Sequence, residues 1–385
     1  MTRRTSFALI AVAALACVGA ALPAAGAESP AAGRYIVVLE DGANSHAVAK
    51  DHALRYGASV RFVYGHALKG YAGVIPDGKL DDVRSDSRVA YVERDGSATA
   101  VAQTLPWGIN KIDADISSTK AGDGGADPTK NAISNVHAYI IDTGIDTAHT
   151  DLHVVGHVNF AGGQNRDCNG HGTHVAGTIA ANDNTQDAVG AAPGAPLTGV
   201  KVLGCGGSGS WSGVIKGVDW VTANAVKPAV ANMSLGGGVS KAVDDAVKNS
   251  ASSGVFYALA AGNEGANACN SSPARAGAGS NNGIATTAAT DSRDMEASWS
   301  NYGSCVDIWA PGVSVLSTRK GGGTTTMSGT SMASPHTGGG GALYLSSHTS
   351  SSPSTVENAL KSAATTTSNK SKDGRAITRL YVGGF

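Results

Sequence analysis

Charged residues are scarce in this sequence of 385 residues, at 15% against about a quarter in a typical soluble domain. Positive and negative charges nearly cancel, leaving a formal net charge of −1. The sequence has neither the basic stripe that nucleic-acid binding favours nor an acidic tail, so we expect no nucleic-acid partner. Aromatic residues are also few, at 5%, whereas glycine is abundant with 52 residues, which favours close packing of helices, strands and loops.

Long apolar segments are missing everywhere except near the N-terminus. There, Arg3 and Arg4 precede an apolar run at 7–22 and a small-residue cleavage motif at 25–27. A membrane-spanning helix needs about 20 apolar residues, so this run is short for an anchor and has the organisation of a signal peptide. We expect residues 1–27 to be removed and the protein to be secreted without membrane attachment. The paired arginines leave twin-arginine export open beside the general route.

Closely spaced cysteine pairs are also absent, which argues against a structural zinc site. Cys17 lies in the predicted signal peptide. The other four cysteines are Cys168, Cys205, Cys269 and Cys305. An even number in an exported chain indicates two disulfides, and four cysteines allow three pairings among which the sequence alone does not choose.

Residues 34–95 have the pattern of a small domain. Runs rich in β-branched and aromatic residues alternate with helical segments in the order βαββαβ, which predicts a ferredoxin-like α+β fold. Ser45 is the expected cap of the first helix, and the small polar stretch 96–104 predicts an exposed linker. The predicted strands are 34–39, 60–64, 70–75 and 89–93, and the predicted helices are 45–56 and 80–85.

From about residue 105, apolar strands alternate with helices. This alternation predicts an α/β fold with a mostly parallel sheet covered by helices on both faces, and ligand sites at the carboxyl ends of the strands. The predicted strands are 136–142, 197–203, 230–235, 255–262 and 283–289. The predicted helices are 172–181, 212–226, 240–253 and 330–346.

Three residues in this larger part have settings suited to acyl transfer. Asp142 ends an apolar strand, His171 lies on a glycine turn that opens a helix, and Ser331 lies at the start of another helix. A nucleophile, a base that contacts it and a carboxylate that orients the base make up the required set. Each has an ordinary alternative, as a turn cap, a structural histidine and a helix cap. Their joint occurrence in this order favours catalysis.

The three segments resemble the catalytic motifs of the subtilisin-like serine proteases, which have the same Asp, His, Ser order. The resemblance covers nearly all of residues 105–385 and extends to the proteinase K and aqualysin branch through stretches at 107–109, 167–171 and 298–303. Residues 34–95 resemble the family's inhibitory propeptide. The resemblance implies a secreted serine endopeptidase with a signal peptide at 1–27, a propeptide at 28–99 and a subtilisin-like peptidase domain at 100–385.

By this resemblance, Ser331 is the nucleophile, His171 the general base and acid, and Asp142 the carboxylate that orients the imidazole. Asn263 matches the asparagine that stabilises the oxyanion together with the Ser331 backbone N–H. The alternative for Asn263 is an ordinary turn residue. The same catalytic residues would also suit an acyl hydrolase acting on esters or a peptide ligase, and a catalytically inactive binding protein is the non-enzyme alternative.

Substrate contacts are also implied. Two glycine-rich segments match the strands that pair with an extended peptide, and the walls of the pocket for the residue before the cleaved bond (P1) are small and apolar. Because no acidic residue marks this pocket in the sequence, we expect cleavage after aliphatic or aromatic residues. The implied substrate-binding residues are Gly207, Ser208, Gly209, Ser234, Leu235, Gly236, Ala261 and Gly262.

The resemblance further implies the disulfides Cys168–Cys205 and Cys269–Cys305. It implies a structural calcium ion held by Asp307 and the carbonyls of Asn282 and Ile284, with a solvated Asp307 as the alternative. We expect no organic cofactor. The expected partners are protein and peptide substrates and the chain's own propeptide, and we expect a monomer.

A run of four glycines, Gly338 to Gly341, lies in the predicted helix after Ser331. Glycine costs about 1 kcal/mol relative to alanine inside a helix. The family also carries glycine at Gly339, whereas alanine is usual at Gly338 and Gly341. We therefore expect Gly338→Ala and Gly341→Ala to stabilise the protein and Gly339→Ala to destabilise it.

Overall fold

The computed structural model describes residues 33–66, 68–95, 103–123, 132–279 and 281–385. The chain divides into two compact units, Met1–Ala100 and Val101–Phe385. The predicted signal peptide and most of the predicted linker lie outside the described residues. Within the described ranges, no helix combines the length and the apolar character needed to cross a membrane.

The N-terminal unit is an antiparallel sheet of order β2-β3-β1-β4 with two helices, so the predicted ferredoxin-like fold is confirmed. The cap of α1 is not Ser45, as predicted, but Asn44, whose side chain accepts the Ala47 N–H at 3.0 Å. Ser45 instead accepts the N–H of Gly70 from the sheet, at 3.1 Å. The elements are β1 Arg34–Leu39, α1 Ser45–Tyr56, β2 Ser59–Tyr64, β3 Gly70–Val74, α2 Leu80–Arg84 and β4 Val89–Arg94.

The second unit contains a nine-stranded sheet of order β14-β15-β11-β10-β9-β8-β5-β7-β6. All its neighbouring strands are parallel except the hairpin β14–β15 at one edge. Its strands are β5 His137–Asp142, β6 Val154–Asn159, β7 Leu197–Lys201, β8 Ala229–Met233, β9 Val255–Ala260, β10 Ile284–Thr290, β11 Ile308–Pro311, β14 Thr365–Lys370 and β15 Ala376–Arg379, with a separate hairpin of β12 Val315–Thr318 and β13 Thr324–Met327. Its helices are α3 Trp107–Lys111, α4 His171–Ala180, α5 Trp211–Asn224, α6 Lys241–Ser252, α7 Thr330–Ser347 and α8 Pro353–Ala363.

Both faces of this sheet are buried, as the uninterrupted apolar strands predict. In β5, Ile140 packs into a core shared with α4 and α7, whereas Ile141 packs into a core shared with α5 and α6. Successive strand residues point to opposite faces, so one strand supplies both cores. The predicted sheet with helices on both faces is confirmed.

The glycine run lies in the fully buried part of α7. A Cβ on Gly338 would meet its nearest neighbour at 3.5 Å, an ordinary contact, whereas one on Gly339 would lie 2.7 Å from Ala191. On Gly341, a Cβ would lie 2.6 Å from the ring of Phe256. The prediction for Gly341 is therefore wrong: its missing side chain makes room for a buried aromatic ring of β9, which the helix propensity of the segment does not reveal.

Candidate active site

Asp142 and His171 form a hydrogen-bonded pair at the carboxyl edge of the sheet. Asp142 ends β5 and is fully buried, and its Oδ1 accepts a hydrogen bond from His171 Nδ1 at 2.8 Å. Burial by itself would lower the pKa of His171, but the negative charge and hydrogen bond of Asp142, together with the charge of Asp167, raise that pKa above its ordinary value. The pair therefore holds the imidazole in one orientation and favours its protonated form.

Ser331 enters the same cleft from the first turn of α7. His171 and Ser331 both line this cleft, which has a volume of about 680 Å³. The Ser331 hydroxyl donates to the carbonyl oxygen of Ser234 at 3.2 Å. The hydroxyl hydrogen must therefore turn away from Ser234 before it can be donated to His171.

Asn263 follows β9 and lies beside the start of α7. Its Oδ1 accepts hydrogen bonds from both the N–H and the hydroxyl of Thr330, at 2.8 and 3.0 Å. Because the oxygen end is occupied, the amide nitrogen is the end left to donate into the cleft. The Ser331 N–H belongs to the first turn of α7, where backbone donors have no partner within the helix.

The predicted substrate-binding residues surround Ser331 in two adjoining cavities. Gly207 has a φ of +78°, a conformation that favours glycine. The large cleft contains Gly207, Ser208, Gly209, Ser234, Leu235 and Gly236. A cavity of about 360 Å³ contains Ala261, Gly262, Asn263 and Glu264 and also borders Leu235, Gly236 and Ser331.

Asp167 supports the site through hydrogen bonds, a role that no motif in the sequence predicted. Its buried carboxylate accepts hydrogen bonds from the hydroxyl of Thr143 at 3.0 Å, from the N–H of Gly170 at 2.8 Å, and from the N–H and hydroxyl of Thr173 at 3.1 and 2.6 Å. Thr143 directly follows Asp142, and Gly170 and Thr173 flank His171. Asp167 therefore connects the two chain segments that carry the Asp142–His171 pair.

Two disulfides connect Cys168 to Cys205 and Cys269 to Cys305. This is the pairing that the resemblance implies. The first bond joins the segment before His171 to the segment that carries Gly207 to Gly209, so it links His171 to one side of the cleft.

Comparison with known proteins agrees with this geometry. Residues 71–381 match the Subtilase family, and residues 34–100 match the Peptidase inhibitor I9 family. The chain belongs to the subtilase family.

Relatives of this subtilase are proteases. It is 42% identical over 364 residues to the "Extracellular serine proteinase" of a Thermus species, which covers 86% of this chain and 85% of the relative. It is 43% identical over 328 residues to "Alkaline serine exoprotease A" of Vibrio alginolyticus, covering 81% of this chain but 58% of that longer relative. The crystal structure of a cold-adapted subtilisin-like serine proteinase superimposes with a TM-score of 0.62 at 42% identity, covering 72% of this subtilase and 97% of that chain.

Glu264 modifies the expectation for the P1 pocket. The sequence was interpreted as having no acidic residue there, but Glu264 lines the same cavity as Ala261 and Gly262. Its Oε2 accepts a hydrogen bond from Asn301 Nδ2 at 2.8 Å, which holds the carboxylate in place. The side chain of the residue after Asn263 thus brings a negative charge to a pocket whose other walls are small and apolar.

The residues around Asp307 do not fit the calcium site that the resemblance implies. Asp307 Oδ1 accepts a hydrogen bond from the ammonium of Lys361 at 3.2 Å, and Oδ2 accepts the N–H of Thr286 at 2.9 Å. Calcium requires several oxygens that face one ion without a competing cation. Here a cationic side chain already lies against the carboxylate.

A second group of oxygen-bearing residues, which the sequence did not predict, connects Asp151 with Asn182 and Ala188, whose N–H groups bond to the Asp151 carbonyl and Oδ2 at 3.0 and 3.4 Å. Asp151 is buried, has no ion pair among the described residues, and burial raises its pKa to about 7. Asn184 Nδ2 donates to it at 2.7 Å. Gln103 Nε2 donates to the carbonyls of Asn182 and Ala188 at 2.7 and 3.3 Å, while its buried Oε1 has no partner in the described chain. A half-turn of the Gln103 amide would direct its oxygen toward these two carbonyls, whereas Asn184 Oδ1 already accepts the N–H of Gln186 at 2.6 Å.

Proposed function

We propose that this subtilase is a secreted, monomeric serine endopeptidase that cleaves proteins and peptides through an acyl-enzyme intermediate. The observation that carries the proposal is the joint placement of the Asp142–His171 pair, Ser331 and the Asn263 amide around one cleft. A binding protein without catalysis has no need for a buried carboxylate that orients a histidine beside a helix-start serine.

The chemistry follows from these positions. Ser331 Oγ turns from the Ser234 carbonyl to His171 Nε2, gives its proton to the imidazole and attacks the peptide carbonyl. Asp142 stabilises the imidazolium, and the Asn263 amide and the Ser331 N–H donate to the oxyanion. The tetrahedral intermediate then expels the amine, which takes the proton from His171. A water molecule hydrolyses the acyl-enzyme by the same steps, with His171 again as base.

Substrate selection follows from the two cavities. An extended peptide can pair its backbone with the segments 207–209 and 234–236, whose glycines leave backbone groups accessible. The small, apolar walls formed by Leu235, Ala261 and Gly262 favour aliphatic and aromatic P1 side chains. Glu264 adds acceptance of lysine and arginine at the same position.

The chain is proposed to be made as an inactive precursor. The match of residues 34–100 to an inhibitor family supports an inhibitory role for the segment 28–99, and self-cleavage is proposed near Thr99–Ala100. The signal-like segment 1–27 and the name of the Thermus relative support secretion. Structural calcium is proposed at the group formed by Gln103, Asp151 and Asn184.

A casein assay of the purified enzyme tests the proposed activity. We expect hydrolysis of casein that a serine-directed covalent inhibitor abolishes. Ser331→Ala should lower kcat by roughly a million-fold, the magnitude known for removing the nucleophile of a subtilisin. Undiminished hydrolysis by a clean Ser331→Ala preparation would overturn the assignment. Activity on simple esters without activity on casein would indicate an acyl hydrolase instead.

A further inference from the structure

Lys361 belongs to a cluster of charges that joins α8 to the strands β10 and β11. It lies on α8, and its ammonium is 3.2 Å from Asp307 Oδ1 and 3.1 Å from Glu357 Oε1. Asp307 immediately precedes β11, and both carboxylates are nearly or fully buried. The ammonium therefore bridges a helix and the sheet through two buried carboxylates, while the Lys361 side chain itself is 29% exposed.

The remaining carboxylate oxygens are also occupied. Glu357 Oε2 accepts the N–H groups of Asn282, Gly283 and Ile284 at 2.7, 2.8 and 3.3 Å. These are the residues that lead into β10, and they include both of those whose carbonyls were expected to bind calcium. Asp307 Oδ2 accepts the N–H of Thr286 from the same strand. The segment is thus held through its N–H groups by a side chain of α8.

We infer that the Lys361 ammonium takes the place of a structural calcium ion at Asp307, joining β10, β11 and α8 without metal. A buried carboxylate is stable only when a cation or hydrogen-bond donors compensate it. Lys361 supplies the positive charge, and Glu357 supplies the link to residues 282–284.

The balance of charges among Asp307, Glu357 and Lys361 determines whether calcium can bind here. The cluster has two carboxylates and one ammonium. A calcium ion bound to Asp307 would lie close to that ammonium, and like charges at such separations repel strongly away from bulk water. Removing the ammonium would leave two neighbouring carboxylates without a cation, an arrangement that attracts calcium.

The test compares thermal midpoints in excess calcium and in excess chelator, using the full chain with Ser331→Ala to prevent self-digestion. The difference between the two midpoints is the calcium-dependent increment, to which any other calcium site contributes equally in all variants. We expect Asp307→Asn to leave this increment unchanged. We expect Lys361→Met to enlarge it by several degrees, and the double variant Lys361→Met with Asp307→Asn to return it to the original value.

Lys361→Arg is the matched control, because it keeps the positive charge and should leave the increment unchanged. Lys361→Gln, which keeps a hydrogen-bond donor and removes the charge, replaces Lys361→Met if that variant does not fold. A smaller increment in Asp307→Asn alone would show that Asp307 binds calcium beside Lys361 and would overturn the inference. An unchanged increment in the neutral Lys361 variants would overturn it as well.

Discussion

Asp167 influences the reaction without belonging to the Asp142–His171 pair. It fixes both segments that carry the pair, and its negative charge contributes to the raised pKa of His171 after the larger effects of burial and Asp142. A residue that only maintained the fold would affect the amount of active enzyme but not the pH at which it works.

The pH profile distinguishes these roles. His171 acts as a base only when neutral, so kcat/KM falls as the pH drops through its pKa. Asp167→Asn keeps an oxygen acceptor but removes the negative charge, which lowers the pKa of His171. We expect the acidic limb of kcat/KM to move to lower pH. The exposed Asp219→Asn serves as the control, and an unmoved limb in an active Asp167→Asn enzyme would contradict the charge argument.

Glu264 is proposed to permit basic P1 side chains, because its carboxylate lines the cavity beside Ala261 and Gly262. We expect Glu264→Gln to lower kcat/KM for a peptide with lysine at P1 by about two- to fivefold, since exposed charge pairs contribute up to about 1 kcal/mol. A matched peptide with phenylalanine at P1 should be cleaved equally by both enzymes. Asp245→Asn on α6 controls for the change in net charge. Equal losses on both peptides would indicate a general effect on the site.

The helices differ in which groups accept hydrogen bonds from their first backbone N–H groups. Helices α5, α6 and α8 are capped by their own serines, Ser210, Ser240 and Ser352. The two helices that carry His171 and Ser331 begin at glycines without side-chain caps. In α4, the N–H groups of His171 and Thr173 are accepted by the nearby Asn169 and Asp167, and that of Gly172 by the distant Thr143. In α7, the Thr330 N–H is accepted by Asn263, 67 positions away, so this helix start depends on a tertiary partner.

The glycine run of α7 influences the free energy of unfolding. Gly338→Ala should raise the free energy of unfolding by about 0.4–1 kcal/mol, because alanine reduces the freedom of the unfolded chain and its methyl has room. Gly341→Ala should lower it by about 1–3 kcal/mol through overpacking against Phe256. Urea melts in the Ser331→Ala background measure both. A higher midpoint for Gly341→Ala would mean that the Phe256 ring moves aside readily.

At the scale of the whole molecule, a disulfide and side-chain hydrogen bonds join segments that lie outside the sheet. Cys168–Cys205 connects the segment before His171 to the segment that carries Gly207 to Gly209. Gln103, near the start of the second unit, contacts the loop carbonyls of Asn182 and Ala188. Any ion bound there would tie this N-terminal segment to the loop that follows α4.

Calcium removal tests this link. We expect chelator to lower the thermal midpoint by several degrees, since a ligand that binds only the folded state stabilises it. Asp151→Asn should abolish this dependence, because it removes the buried negative charge of the proposed site. Asp219→Asn should retain it. Persistence of the full calcium effect in Asp151→Asn would place the ion elsewhere.

Maturation gives a second prediction at this scale. The secreted active enzyme should begin at or next to Ala100, which retains Gln103 for its loop contacts. N-terminal sequencing checks the position, and the Ser331→Ala chain should remain unprocessed. An active enzyme that still begins at residue 28, or normal processing of Ser331→Ala without added protease, would contradict self-cleavage.

The alternating apolar periods by themselves predicted the fold class, which the structure confirms, because such periods are preserved in the order of residues along the chain. For the same reason, the predicted boundaries of the helices and strands agree with those of the structure to within one or two residues in most cases. The resemblance of three local motifs predicted the family, which the comparisons show, and proposed Asp142, His171, Ser331 and Asn263 as the site.

Only the tertiary structure decided which side chains pair by charge or hydrogen bond and which fill the space beside a neighbour. Lys361 reaches Asp307 across 54 positions, and Gln103 reaches Ala188 across 85. The space beside Gly341 is filled by Phe256, and Glu264 lines the cavity beside Ala261 with Asn301 as its hydrogen-bond donor. Charge compensation and steric exclusion act through distance in space, and residues far apart in sequence acquire that proximity only when the sheet and its helices have formed.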